Sequence, residues 1–328
     1  MKKILITGIS GSGGSYLAEH ILNNYKNCSI HGFSRWHSTT SSNNLENIKN
    51  KINVHEVDLC DFSSTFLKIK KIKPDIIFHL AAHANVRASF DTPLSVFNNN
   101  CISTLNLLEA IRLSKFDPII QICSTSEVYG VVSKKETPIN ELNQMRPASP
   151  YAVSKVASDL LGYTYFKNYK LKIIRTRMFS YINPRREDLF ATSFAKQVAW
   201  VEAGILKYVK HGNLNSVRTI VDVDDAMRAY WLAVKHCTYG EAYNIGGIYK
   251  ITVEEFLKKL ISFSNKSIPT KLDKKLLRPT DVTLQVPDNS KFIKASNWKP
   301  KVSIDKSIEK LLNYWRNNAK LELHKRKI

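Results

Sequence analysis

The chain has 328 residues, 43% hydrophobic and 23% charged, with a formal net charge of +21. That length supports one large core or two modest ones, in a composition typical of globular proteins. No stretch approaches the roughly 18 apolar residues of a membrane-spanning helix, and the lysines are spread along the chain without interleaved aromatics, which describes a solvated surface rather than a nucleic-acid partner.

The elements follow from hydrophobic periodicity. "KKILIT" reads as a first strand rather than a signal peptide, because a glycine turn ends its short apolar run. "SYLAEHILNNY" has helical spacing, "SIHGFSR" and "INVHEVD" read as strands, and "FSSTFLKIKKI" as a helix closed by Pro74. "DIIFHLAA" is a fourth strand, followed by the helix "SVFNNNCISTLNLLEAIRLS", the strand "IIQICST", the helix "PYAVSKVASDLLGYTYFKNY" and the strand "LKIIRTRMF". Strands separated by helices imply parallel βαβ units with right-handed crossovers, hence an α/β doubly wound parallel sheet.

After Ser180 the pattern changes. "NPRRED" breaks regularity, "LFATSFAKQVAWVEAG" reads as a helix, "KYVKHGN" as a short strand and "VDVDDAMRAYWLAVKH" as a helix. "EAYNIGG" is expected to return to the sheet, "TVEEFLKKLISFS" to be a helix, and "LRPTDVTLQVPDNSKFIKASNWKP" to be rich in loops. No linker separates the halves, so a smaller lobe is expected to interleave with the first. The expected division is residues 1–179 plus about 220–246 for a dinucleotide-binding domain, and about 180–219 plus 247–328 for the lobe. The five cysteines, Cys28, Cys60, Cys101, Cys123 and Cys237, lack metal-type spacing and suit a reducing cytoplasm.

Gly8, Gly11 and Gly14 form GxxGxxG between a strand and a helix, with Gly13 beside them. In that context glycines permit a tight turn and let a pyrophosphate reach the helix N-terminus. The second strand ends in Ser34 and Arg35 without a carboxylate, which suits the 2′-phosphate of NADP, with NAD as the alternative. Asp58 and Leu59 are placed at the adenine, and Leu80, Ala81 and Ala82 along the cofactor. Tyr151 and Lys155 lie four apart on one helix face, where a cation would lower the phenol's pKa and make it a base for a sugar hydroxyl. Thr125 and Glu127 follow the fifth strand. The first can hydrogen-bond that hydroxyl, and the second supplies the further acid/base group that a dehydration needs. His79 and His83 lack the spacing of a metal site.

With "HLAA", "NNCIST" and "STSEVYG", these motifs resemble the extended short-chain dehydrogenase/reductase family over nearly the whole chain. "TGISGSGGSYLAEHIL", "NPRR", "GNLNSVR" and "RPTDV" are similar within it to the GDP-mannose 4,6-dehydratases, with the GDP-4-keto-6-deoxymannose reductases as a sister group. The resemblance implies a Rossmann-like fold, catalysis by Thr125, Glu127, Tyr151 and Lys155, and a cofactor contact at Asn100. It also implies a GDP-sugar bound by Ser126, Ser180, Arg218 and Arg278, with Arg185 and Arg186 matching a paired-arginine element. The expected reaction is internal hydride transfer from C4 to C6 of the sugar with loss of water. A 4-keto reductase, a C4 epimerase or a non-catalytic nucleotide-sensing or polyanion-binding relative are the alternatives. Ser180 replaces the family's asparagine and Phe194 its lysine, which leaves the sugar open between mannose and a heptose or other modified sugar, while Trp36 stands in place of the family's second arginine after the second strand and bears on the choice of NADP. Helices at about 95–113 and 150–169 are expected to pair in a homodimer or homotetramer.

Overall fold

The computed structural model describes residues 1–36, 38, 43–277 and 280–325. The first half runs β1 (Lys2–Thr7), α1 (Ser12–Asn24), β2 (Cys28–Ser34), β3 (Asn53–Glu56), α2 (Phe62–Ile72), β4 (Ile76–His79), the short α3 (Ala88–Asp91), α4 (Pro93–Ser114), β5 (Ile119–Thr125), α5 (Pro150–Tyr169) and β6 (Lys172–Met178). There follow β7 (Tyr181–Ile182), α6 (Phe190–Glu202), β8 (Val209–His211), β9 (Val217–Asp222), α7 (Val223–His236), β10 (Ala242–Ile245) and β11 (Tyr249–Thr252). The chain closes with α8 (Val253–Ser262), β12 (Thr270–Leu272), β13 (Leu284–Gln285), α9 (Ser290–Ser296) and α10 (Ile304–Lys325).

Seven strands form one parallel sheet in the order β10-β6-β5-β4-β1-β2-β3. Residues 4–7 of β1 are buried because helices cover both faces of the sheet. Ile4 and Ile6 enter one core with Leu17, Ile21 and Trp231. Leu5, between them, enters the other with Leu107, Ile111 and Tyr165. This is the two-residue alternation of a strand. The chain order reverses between β1 and β4, and a crevice opens there at the carboxyl ends of the strands, where ligands bind in sheets of this kind.

Capping sets the helices that frame the crevice. The Asp61 carboxylate accepts from Ser63 N (2.9 Å) and starts α2. Ser149 Oγ accepts from Ala152 N (3.1 Å), with Pro150 in the first turn, and starts α5. Tyr151 therefore sits in the first turn of α5, where the helix dipole favours negative charge.

The smaller lobe carries the sheet β11-β9-β13, with β7 also on β9, and the pair β12-β8. Its core is Phe194, Val198, Phe256, Leu260, Ile308, Leu311 and Trp315 from α6, α8 and α10. Arg316 clamps Glu202 at 2.7 Å through both Nε and Nη2, fixing α10 to α6. β10 returns to the large sheet beside β6, as "EAYNIGG" led us to expect. Phe292 and Trp298 fall in the range expected for the smaller lobe, yet their side chains lie in the first core, in aromatic contact with Tyr243 and with each other. Among the described residues no helix is long and apolar enough to cross a membrane.

Candidate active site

A cavity of about 620 Å³ runs from the β1–α1 turn, along the ends of β4 and β5, into the smaller lobe. Gly8, Gly11, Gly13, Gly14, Ser34, Arg35, Asp58, Leu59, Leu80, Ala81, Ala82, Thr125, Ser126, Glu127, Tyr151, Lys155, Ser180 and Arg218 all line it. Residues up to 210 positions apart in sequence thus reach one space.

The glycine turn fits a dinucleotide. Gly8 has φ +67°, and a Cβ there would stand 2.9 Å from the Ala81 Cα. A Cβ on Gly14 would stand 2.3 Å from Gly8 O, so α1 packs against the turn only without a side chain. No side chain caps α1 and no acidic residue lies in its first turn. Its free amides and positive dipole end suit a pyrophosphate.

At the end of β2, Arg35 Nη2 donates to His83 Nε2 (3.2 Å), and Ser34 Oγ pairs with Ser10 Oγ (2.9 Å). Accepting at Nε2 requires a neutral His83 ring, and burial together with the Arg35 charge lowers its pKa. Asn100, expected at the cofactor, is not among the residues that line the cavity. It is buried, donating to His83 O (3.1 Å) and Ser154 Oγ (2.9 Å) and accepting from His83 N (2.7 Å), so it ties the β4–α3 loop to α4 and α5. Its neighbour Asn99 lines the cavity instead. Arg278 lies outside the described residues.

His79 is a structural group. Thr7 Oγ1 lies 2.9 Å from its Nδ1 and Thr104 Oγ1 3.0 Å from its Nε2, and burial with the Lys155 charge pushes its pKa down to about 3. Thr104 already donates to Asn100 O (2.8 Å), so it accepts the proton of His79 Nε2.

Tyr151 and Lys155 are only 7% and 5% exposed. Burial raises the Tyr151 pKa, while the Arg186 guanidinium and a hydrogen bond with Thr125 oppose that rise. Burial lowers the Lys155 pKa, and its Nζ donates to Cys123 O (2.5 Å). The cation that opposes the rise of the Tyr151 pKa is the Arg186 guanidinium, which the sequence reading did not place beside the phenol. Arg186 is held by Asp188 (3.1 Å) and Ala84 O (2.7 Å). Tyr230 Oη lies 3.0 Å from Cys123 Sγ, and both residues line the same cavity.

Thr125 Oγ1 accepts from Glu127 N (3.3 Å) and starts the short turn after β5. Glu127 Oε1 accepts from Gln285 Nε2 (2.8 Å), a partner from the smaller lobe that no sequence motif signalled. Arg218 on β9 donates to Val282 O (2.6 Å) and lines the lobe's end of the cavity with Lys210 and Asn213.

A parallel sheet with a glycine turn after β1, a Tyr and Lys one turn apart on α5, and a smaller lobe closing the crevice define a short-chain dehydrogenase/reductase of the extended type. The chain belongs to the GDP-mannose 4,6 dehydratase family, whose model matches residues 5–311. It is 29% identical to the GDP-mannose 4,6-dehydratase of Yersinia enterocolitica, over 93% of this chain and 91% of that one. A solved variant of the UDP-glucuronic acid 4-epimerase of Bacillus cereus, in complex with NAD, superposes with a TM-score of 0.86 and 27% identity over 96% of this chain and 99% of that one. RMD from Pseudomonas aeruginosa, complexed with NADPH, shares the fold with a TM-score of 0.83 and 23% identity over 97% of this chain and 100% of that one.

Proposed function

We propose that this chain is a nucleotide-sugar 4,6-dehydratase acting on GDP-mannose or a related GDP-hexose or heptose. The observation that carries this reading is that a second acid/base group, Glu127, faces the same cavity as Tyr151 and Lys155. Oxidation of an alcohol needs one proton acceptor, whereas loss of water from the adjoining carbons needs another.

The residues divide the work as follows. Gly8, Gly11, Gly13 and Gly14 with the α1 N-terminus hold the pyrophosphate of a nicotinamide dinucleotide, Asp58 and Leu59 its adenine end, and Leu80 to Ala82 its length. Bound there, the dinucleotide supplies a reversible two-electron acceptor. Thr125 orients the C4 hydroxyl and Tyr151 takes its proton, with Arg186 and the α5 dipole favouring the phenolate. Lys155, anchored at Cys123 O, presents its charge beside them. A ketone at C4 acidifies C5–H. Glu127 then takes the C5 proton as the C5–C6 double bond forms and the C6–O bond breaks, and passes that proton to the departing hydroxide, which leaves as water. The hydride equivalent removed from C4 would be returned at C6 and the proton held by Tyr151 passed to C5, so C4 ends one oxidation level higher, C6 one lower, and no outside reductant is consumed. Arg218 binds the diphosphate, Arg278 is proposed for the same task, and Ser126 and Ser180 for the sugar.

Mass spectrometry of purified enzyme with GDP-mannose and GDP-manno-heptose tests this. The expected product is lighter by one water, without consumption of added cofactor. No conversion of either sugar would defeat the dehydratase reading and leave a 4-keto reductase, which needs a ketone that neither substrate carries, and an isomer of unchanged mass would place the chain among the epimerases.

NADP is the proposed cofactor because Arg35, steadied by the neutral His83, ends β2 in place of a carboxylate. Arg35→Ala is expected to weaken NADP binding about 10- to 100-fold and leave NAD binding nearly unchanged, since a charge-assisted hydrogen bond contributes about 1.5–3 kcal/mol. Fluorescence titration with each dinucleotide decides it, and an equal loss for both would remove Arg35 from the 2′-phosphate.

A homodimer or homotetramer in the cytoplasm completes the proposal. Leu94, Phe97, Ile102 and Leu113 on α4, and Val153, Leu160 and Tyr163 on α5, are exposed. Such a surface suits burial against a second copy. A monomeric mass in sedimentation at micromolar concentration would refute the pairing.

A further inference from the structure

We infer that Gln285 is a positioning residue that holds the Glu127 carboxylate in its reactive orientation from the smaller lobe. The inference rests on the reading of Glu127 as the group that takes the C5 proton. A carboxylate only accepts hydrogen bonds, so the contact at 2.8 Å fixes the Gln285 amide with its nitrogen toward Glu127. Gln285 is 3% exposed, and a buried amide in a flexible segment would be a poor support.

The segment is held on both sides. Toward β9, Val217 N donates to Thr283 O (2.7 Å) and Arg218 Nη2 to Val282 O (2.6 Å). Asn213 Nδ2 and Ser216 Oγ both donate to the Asp281 carboxylate (2.7 and 3.1 Å). On its other side, Ile139 N donates to Val286 O (2.8 Å) and Asp288 N to Ile139 O (2.7 Å). Gln285 is also the register partner of Arg218 across the parallel β9–β13 pair, and both line the cavity. One ladder therefore presents the arginine proposed for the diphosphate and the amide that holds the base. The nucleotide end of the substrate and the proton-abstracting carboxylate are aligned by the same two strands.

Glu127 itself sits on the large-sheet side, on a four-residue turn after β5. Without Gln285 its side chain keeps its place in the chain but loses a hydrogen bond that selects one rotamer. The step that suffers is removal of the C5 proton, while binding of the nucleotide sugar through Arg218 continues.

The test uses the purified holoenzyme with GDP-mannose carrying either hydrogen or deuterium at C5. Gln285→Leu and Gln285→Met remove the donor at nearly constant volume. Both are expected to lower kcat about 10- to 100-fold, the value of a hydrogen bond to a charged group, with KM unchanged. Both should also raise the kinetic isotope effect at C5 above wild type, because proton removal becomes rate-limiting. A loss of folded enzyme lowers the rate without changing that isotope effect. Wild-type kcat in the two variants, or a kcat per mole of folded enzyme that is reduced with the wild-type isotope effect, overturns the positioning role. Glu127→Gln, measured in parallel, separates the two levels: if it retains wild-type rate, the reading of Glu127 itself fails. If it is inactive while both Gln285 variants behave as wild type, only the role of Gln285 fails.

Discussion

Glu127→Gln lowers kcat for water loss by about 10²- to 10⁴-fold, the range supplied by a positioned acid/base group, and leaves binding of the nucleotide sugar intact. The amide keeps the shape of the carboxylate and can still accept from Gln285 Nε2, so packing is preserved. What it loses is the ability to take a proton from C5. Tyr151→Phe is the necessary contrast. It removes the acceptor for the C4 hydroxyl proton in the first turn of α5, and so stops the reaction before C5 becomes acidic. Measuring product formation and GDP-mannose affinity in both variants distinguishes the roles. A Glu127→Gln enzyme that loses water at the wild-type rate would remove the carboxylate from the chemistry and assign the C5 proton to another group of the cavity.

The βαβ half was legible because each strand is a short apolar run bounded by turn residues and each helix shows its own period. "FSSTFLKIKKI" and "PYAVSKVASDLLGYTYFKNY" are helices over the same residues that their spacing and caps delimit. Tyr151 and Lys155 are local partners on one helix, so sequence spacing suffices to put them together. Contacts made across the chain were not legible. Gln285 meets Glu127 over a separation of 158 residues, from a two-residue strand inside a stretch that reads as loop. Nothing in "TLQVP" signals that its glutamine is buried. Arg186 acts on Tyr151 because β6 delivers the following segment to the mouth of the crevice, a consequence of topology rather than spacing. Asn100 was drawn to the cofactor by resemblance, whereas its geometry uses the side chain for the His83 loop and Ser154. The helix α10 was missed even though Ile308, Leu311, Leu312, Trp315 and Ala319 recur at helical spacing. Its lysine-rich exposed face hides the stripe by which it packs on α6.

Asp159→Ala is expected to cost about 3–5 kcal/mol of stability, because it strips the counter-charge from two buried guanidinium groups. Asp159 is fully buried on α5. Its carboxylate accepts from Arg175 Nη1 (2.8 Å), Arg177 Nε (3.0 Å) and Arg177 Nη2 (3.1 Å). Arg177 also donates to Tyr129 Oη (2.9 Å), which donates to Asn244 Oδ1 on β10 (2.7 Å). The network fastens the helix that carries Tyr151 and Lys155 to the outer strands of the large sheet. Burial by itself would raise the Asp159 pKa, but Arg177 and Arg175 hold it below the ordinary carboxylate value. A folded pKa below the unfolded one means the group stabilises the fold above the unfolded pKa of about 3.9, and that this contribution fades as pH falls through the folded value. Urea denaturation of wild type and Asp159→Ala should therefore differ most at neutral pH and converge under strongly acidic conditions. A difference that stays below about 1 kcal/mol at pH 7 would place the pair among weakly contributing ion pairs and would mean that Arg175 and Arg177 find other partners. A large loss confined to catalysis, with the denaturation midpoint unmoved, would instead assign Asp159 to the alignment of α5 over the site rather than to the stability of the sheet.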